Sequence, residues 1–412
     1  MLKNESNNSL LSVDTFPYLE NNYYIQHDSY DFAKHSLVIG SSGSGKSKFL
    51  ALLIERINKI NRGKYKVVVI DPHDALKDDL QGISSSKVID FQDISRSIDI
   101  FKNSITDINA SVELMLSLFR TLISDGYNGR LERVLRYSVY LLMQKGDFSF
   151  LNLRKLLLDL DYRNGLISEL KRVVPVSVSY FFLTDFNELK NQSYNEAIAP
   201  IIAFIDEMQM IPVFNSEEKL EGIKEVVENN FLSVFSLNRL KIGDKGTKTI
   251  AGILMQQLFL LGQERTSLEH LIVVVDEVSV IENSILQRFL AEMRKYNVSV
   301  ILAGQYFSQI SAELKEAILA NTSNYYIFRV SKNDAMALKN NIEIKIVNSD
   351  KDEDKYKMLT DLKARECLVR ISKNGYVYPA FKARTVDYIT KPHLKVENKP
   401  INDSKDCLKK AF

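Results

Sequence analysis

A chain of 412 residues, 45% hydrophobic, is long enough for one large α/β domain with an insertion, or for two domains, around a substantial core. Its formal net charge of +2 gives no bulk argument for nucleic acid, so such a partner needs a local basic surface. Two cysteines without ligand-like spacing to each other or to the five histidines exclude a sequence argument for zinc, and no apolar run is long enough to cross a membrane.

Residues 1–34 are polar and rich in Asn and Tyr, and they read as an arm or short hairpin, too small for a barrel. Tyr23, Tyr24 and Tyr30 either stack on an adenine base or pack the arm against the core. The apolar run Ser36-Leu37-Val38-Ile39 then leads into Gly40-Ser41-Ser42-Gly43-Ser44-Gly45-Lys46-Ser47, and Phe49 through Ile60 carries helical apolar spacing. A strand, a G-x-x-x-x-G-K-S loop and a helix form the phosphate-binding pattern. Its glycines let backbone N–H groups curl around phosphates, and the helix points its positive end at them. Lys46 supplies a point charge to the transferring phosphoryl group, and the Ser47 hydroxyl completes a Mg²⁺ shell. The expectation is a protein that binds a nucleoside triphosphate.

Next comes Tyr65-Lys66-Val67-Val68-Val69-Ile70-Asp71-Pro72-His73-Asp74, a β-branched run ending in an acid, as for a buried parallel strand with functional residues at its carboxyl end. Asp71 either touches the nucleotide's water and metal shell or caps the turn that Pro72 begins. Ser86 to Asp90 reads as a further short strand. From 105 to 228 the texture changes: Val112–Ile123, Leu131–Gln144, Leu151–Leu160 and Asn195–Met210 carry apolar residues at three-and-four spacing, a helical insertion packed on the nucleotide domain.

The β/α texture resumes at Phe231–Leu237. The stretch 238–248 reads as a loop with Arg239, Lys241, Lys245 and Lys248 within ten residues and two glycines for mobility, before a helix through Ala251–Leu261. Four cations there suit a phosphate backbone, or simply a solvated loop. Leu271-Ile272-Val273-Val274-Val275-Asp276-Glu277 then delivers two carboxylates to the exposed end of a buried strand. Paired with the phosphate loop, Asp276 suits Mg²⁺ and Glu277 the general base on the attacking water.

In the helix 284–296, Ile285, Leu286, Phe289, Leu290 and Met293 cover one arc, and Arg294 lies just beyond its edge. The wheel alone favours an ordinary ion pair for Arg294 over a finger into a neighbour's site. Val298–Ala303 forms another buried strand, with Gly304 and then Gln305 at its end, where an amide can bond both γ-phosphate and water. Asn324–Val330 is a further strand carrying Arg329. Glu366–Ser372 and Tyr376–Phe381 flank a hairpin signal at Lys373-Asn374-Gly375, and the tail after Thr390 is polar and basic. Cys367 and Cys407 read as free thiols in a reducing cytosol, and with no signal-peptide pattern a soluble, cytoplasmic chain is expected.

The order of phosphate loop, Val-Val-Ile-Asp-Pro-His, helical insertion, Val-Val-Val-Asp-Glu, Glu-Met-Arg-Lys-Tyr, Ala-Gly-Gln and Ile-Phe-Arg-Val resembles the HerA–FtsK superfamily over most of 36–385. The likeness is to HerA-like helicase and translocase ATPases and the related ATPases of type IV secretion and conjugation. It implies phosphate and Mg²⁺ binding by Lys46 and Ser47, metal and catalytic acids at Asp276 and Glu277, and a sensor at Gln305. It also implies a trans-acting arginine at Arg294, against the wheel, with Arg329 a second contact to the adjacent subunit. Gly304 stands where many relatives have Thr. Neither the β-barrel of archetypal HerA nor the membrane helices of coupling proteins are expected from this sequence.

The expected architecture is a RecA-like α/β P-loop NTPase with a central, mostly parallel sheet and an all-α insertion. Its parts are an arm (1–34), a first core segment (35–104), the insertion (105–228), a second core segment (229–390) and a tail (391–412). The expected function is a ring, a hexamer, that uses ATP and Mg²⁺ to translocate along or unwind double-stranded DNA. Rival expectations are a secretion or conjugation motor, and a nucleotide-gated scaffold of an antiviral defence complex presenting a nuclease or effector partner.

Overall fold

The computed structural model describes residues 2–3, 9–13, 23–26, 31–61, 63–92, 98–102, 107–123, 126–215, 221–264, 269–339, 341–342, 352–373, 376–377 and 379–386. Three short strands come first: β1 (Leu2–Lys3), β2 (Ser9–Val13) and β3 (Tyr23–Gln26). The core strands follow as β4 (Ser36–Ile39), β5 (Tyr65–Asp71), β6 (Ser86–Asp90), β7 (Leu232–Ser236), β8 (His270–Val275), β9 (Val298–Gly304) and β10 (Asn324–Ile327). The last are β11 (Glu366–Arg370), β12 (Ser372–Lys373), β13 (Tyr376–Val377) and β14 (Phe381–Thr385).

Among the described residues a twelve-stranded sheet runs β1-β3-β2-β14-β11-β10-β4-β9-β8-β5-β7-β6. From β10 to β6 every neighbouring pair is parallel, and from β10 out to β1 every pair is antiparallel. The parallel strands are continuous β-branched runs because helices cover both faces. Alternation sorts their side chains: Val38, Val69 and Val274 join Phe49, Leu50, Leu53 and Ile54 of the helix Lys46–Ile60 on one face. Leu37, Ile70 and Val275 face the other way.

On that second side the apolar core does not stop at the sheet. It runs through the helix Asp244–Glu264 into Leu118, Phe119, Leu135, Phe150 and Phe204 of the insertion. The insertion's helices include Ile108–Ile123, Gly129–Lys145, Phe150–Leu158 and Ala199–Met208. Their ends carry the expected devices: the Asn128 side chain caps Arg130 and Leu131 N–H groups, and Ser149 caps Asn152. Phe101, Phe150 and Phe214 pack with ring centroids 4.9 Å apart for Phe101–Phe150 and for Phe150–Phe214. Helices Leu160–Leu170, Val176–Leu183 and Asp185–Gln192 complete the middle of the insertion; short and mixed in polarity, they carry weak periodicity in sequence.

Other expectations shift. The N-terminal segment adds β1–β3 to the antiparallel edge, with β2 paired to β14. The side chains of Tyr23, Tyr24 and Tyr30 lie outside the described residues, as do Cys407 and the tail 391–412. The C-terminal hairpin is confined to β12 and β13, while β11 pairs with β14 instead. No helix among the described residues is long and apolar enough to cross a membrane.

Candidate active site

Sheet register brings the motifs to one edge. Ile39 is opposite Gly304 and Ile327, and Val275 is opposite Ile70 and Leu302, so the residues after β4, β5, β8, β9 and β10 emerge together at the carboxyl ends. The phosphate loop is braced on three sides. Gly40 N–H donates to the Gly304 carbonyl (3.2 Å), Ser41 N–H to that of Arg329 (2.8 Å), and Arg365 N–H to that of Ser44 (2.8 Å). Two glycines are forced. A Cβ at Gly40 would sit 2.5 Å from Phe328 Cβ, and Gly45 holds φ +104° as it opens the helix.

Lys46, buried, extends its Nζ to within 3.4 Å of Glu277 Oε2. Glu277 is itself held twice: its Oε1 accepts from Gln305 N–H and from Ser279 Oγ, each at 3.1 Å. Its backbone is left-handed, φ 54°, which is costly for a glutamate and found where structure over-determines a functional residue. Asp276 is 4% exposed, and burial pushes its pKa up to about 6; Lys46 opposes the rise, while Asp71 and Glu277 add to it.

Lys46, Asp276 and Glu277, with Ser41, Ser42, Gly43, Gly45, Ser47, His73, Ala75 and Gln305, line a cleft of about 420 Å³. Two buried polar atoms of the cleft residues lack partners among the described residues: Ser41 Oγ and Asp276 Oδ1. A buried carboxylate oxygen without a donor, in the same cleft as the Ser47 hydroxyl, fits a hard divalent cation, and the buried Ser41 hydroxyl fits a phosphate oxygen. Among the described residues no group of three or more His, Cys, Asp or Glu could hold a metal. Mg²⁺ takes one or two protein ligands and completes its shell with water and phosphate.

Several residues land elsewhere than the sequence suggested. The Asp71 carboxylate accepts from the N–H groups of His73 (3.2 Å), Ala75 (3.1 Å) and Leu76 (2.8 Å), so it shapes the turn rather than facing the cleft. Burial raises its pKa against those three donors. The stretch 238–248 is not a loop. A short helix, Arg239–Ile242, precedes the helix Asp244–Glu264, which begins seven residues before the apolar spacing indicates. Gly246 gives no mobility: it is buried, and a Cβ there would meet Ile211 Cδ1 at 2.4 Å. Arg239 is bidentate to Asp244 (2.5 and 2.9 Å) and Lys245 pairs with Glu207, which leaves Lys241 and Lys248 as the exposed cations.

The helix 284–296 tightens after Glu292 into a 3₁₀ turn, Met293–Tyr296, that exposes Arg294 just before β9. Arg294 is therefore at the amino-terminal edge of the sheet, with the length of β9, about 20 Å, between it and its own chain's cleft. Arg329 contributes its carbonyl to the phosphate loop and has an exposed side chain, but it is not among the residues that line the cleft. Sequence reasoning gave no role to Arg365, whose φ of +71° sets it beside Gly45; 320 residues of separation carried no signal for it. Nor did it single out His73 and Asp74, although both stand in the β5 motif.

The family model described as the central domain of helicase HerA matches residues 22–223. No curated protein matches the chain. Among solved structures, VirB4 of Thermoanaerobacter pseudethanolicus superposes with a TM-score of 0.63 at 15% identity, covering 94% of this chain and 98% of that one. The bacterial conjugative coupling protein TrwBΔN70 gives 0.59 at 16%, covering 88% and 87%, and TrwB in complex with ADP and Mg²⁺ gives 0.59 at 16%, covering 90% and 89%. At these identities the likeness carries the fold, and the fold is the RecA-like P-loop architecture expected from the motifs.

Proposed function

We propose that this chain, a member of the HerA–FtsK superfamily by its family match and its fold, is a ring-forming ATPase of HerA type that hydrolyses ATP to move along or unwind double-stranded DNA. The observation that carries the reading is the buried Asp276 oxygen without a partner, beside Lys46 and a strained Glu277 held by Gln305. Backbone N–H groups of the phosphate loop and the Lys46 ammonium hold the triphosphate. Ser47 and Asp276 would hold Mg²⁺, which when bound neutralises charge on the phosphates. Glu277 orients the attacking water and takes its proton, and Gln305, bonded to Glu277 through its backbone, senses the change at the γ-phosphate.

Arg294 has no route to its own cleft from the far edge of the sheet, which favours a role on a neighbouring copy. A guanidinium supplied in trans requires subunits that meet at the nucleotide, hence a closed ring, for which we propose six copies. Lys241 and Lys248 are the exposed cations of the stretch 238–248 and make sequence-neutral, salt-sensitive backbone contacts.

The test is the ATPase rate with and without duplex DNA, with molar mass measured in the same sample. Stimulation by DNA in a ring-sized species is expected, and full-rate turnover by a monomer sinks the ring. A secretion or conjugation motor is the second reading, favoured by the fold likeness to a conjugative coupling protein. Hydrolysis indifferent to DNA supports it.

A further inference from the structure

Three neighbouring strands, β8, β5 and β7, are each followed by a non-glycine residue at positive φ: Glu277 (54°), Asp74 (58°) and Asn238 (43°). Left-handed backbone is tolerable for Asp and Asn, yet it still needs surrounding structure to hold it. Here the two hold each other. Asn238 Nδ2 donates to Asp74 Oδ2 at 2.7 Å, and the Ser236 hydroxyl donates to Asp74 Oδ1. Backbone bonds reinforce the clamp, from Leu237 N–H to the Asp71 carbonyl (2.9 Å) and from Arg239 N–H to that of Pro72 (2.8 Å).

The two ends of this clamp face different tasks. On one side His73 and Ala75 form a wall of the phosphate cleft. On the other, Asn238 begins the helix Arg239–Ile242, whose Leu240 is 97% exposed between two basic residues. Asp74 does not line the cleft itself; its carboxylate accepts from Ser236 at the end of β7 and from Asn238 just after it, and its charge is felt by Lys77.

We propose that Asp74 is a positioning residue that couples the cleft to the basic surface: nucleotide against His73 and Ala75 shifts the Asp74 turn, and the clamp carries the shift to 237–243. The coupling rests on the reading that the cleft takes ATP. It does not depend on the cargo or on ring size.

The experiment is hydrogen–deuterium exchange of peptides spanning 237–248, with and without a non-hydrolysable ATP analogue and Mg²⁺, on the full chain and on Asp74→Asn and Asn238→Gly. Analogue affinity is measured in parallel. In the wild type the analogue changes exchange in 237–243 by about tenfold. In both variants that change falls below about twofold while affinity stays within about threefold. A purely structural Asp74 would instead loosen the segment equally with and without analogue, or lower affinity. Asn238→Gly, whose glycine suits φ 43°, keeps the test open should Asp74→Asn fold poorly. A full nucleotide response in either folded variant, or none in a wild type with analogue bound, overturns the coupling. Failure of the wild type to bind the analogue overturns the ATP reading, and the coupling with it.

Discussion

The backbone N–H of Gln305 donates to Glu277 Oε1 across 3.1 Å, tying the residue after β9 to the acid after β8. Because the donor is main chain, it holds the Glu277 side chain whatever the Gln305 amide is doing. Glu277→Gln keeps the shape and this bond but removes the base. We expect turnover to fall by about 10² to 10⁴, with ATP affinity changed by less than tenfold, read by single-turnover kinetics and equilibrium binding.

Asp276 should trade stability for ion binding. Its carboxyl, raised by burial to about 6, is ionised at pH 7.5 at a cost that the unfolded chain does not bear. The stability it lends is complete below the unfolded value and lost as pH rises through about 6. Asp276→Asn should therefore melt higher than wild type at pH 7.5 without nucleotide, by roughly 1–3 kcal/mol. The further rise that Mg²⁺ and ATP give the wild type should vanish. A variant that melts lower and still gains from Mg²⁺ contradicts the assignment.

Arg294→Ala should leave nucleotide affinity intact and cut turnover by about 10³ if the guanidinium serves a neighbour's cleft. Mixing it with Glu277→Gln provides the sharper reading. Each protein is inactive alone, but in mixed rings the arginine of one completes the cleft of the other, and activity should reappear in the mixture. No recovery from a mixture shown to co-assemble would exclude the trans role.

His35 links pH to the seating of β4. Its ring is fully buried, with Nδ1 accepting from Val300 N–H at 3.0 Å, and burial, followed by the charge of Arg294, lowers its pKa to about 4. The neutral form is the one the fold holds. Its contribution is present above about 6.5 and drains away as pH falls toward 4, for about 3 kcal/mol in all. Denaturant unfolding at pH 7 and pH 4.5 should show the wild type losing more stability than His35→Asn; equal losses would place the acid sensitivity elsewhere.

How much of this could be read in the sequence depends on the range of the interaction. The strands were legible because Val67–Ile70 and Leu271–Val275 are buried on both faces, which leaves an uninterrupted apolar run. The phosphate loop and the Asp276–Glu277 pair were legible because local chemistry dictates their residue types. The start of the helix at Asp244 was not, since its first turn is polar and Gly246 there answers to Ile211, far away in sequence. Asp71 could be read two ways, and three N–H donors from its own turn decide it. Long-range struts such as Arg365 on Ser44, or Asp74 on Asn238, leave no local trace.

The placement of β4 has a consequence for how the molecule is made. Its two neighbours in the sheet are β9 and β10, which end at Gly304 and Ile327. During synthesis the phosphate loop is translated before the insertion, but the strands that seat it leave the ribosome only after the whole insertion has been made. The insertion, whose helices pack in good part on one another, is therefore the part free to begin folding while the loop waits.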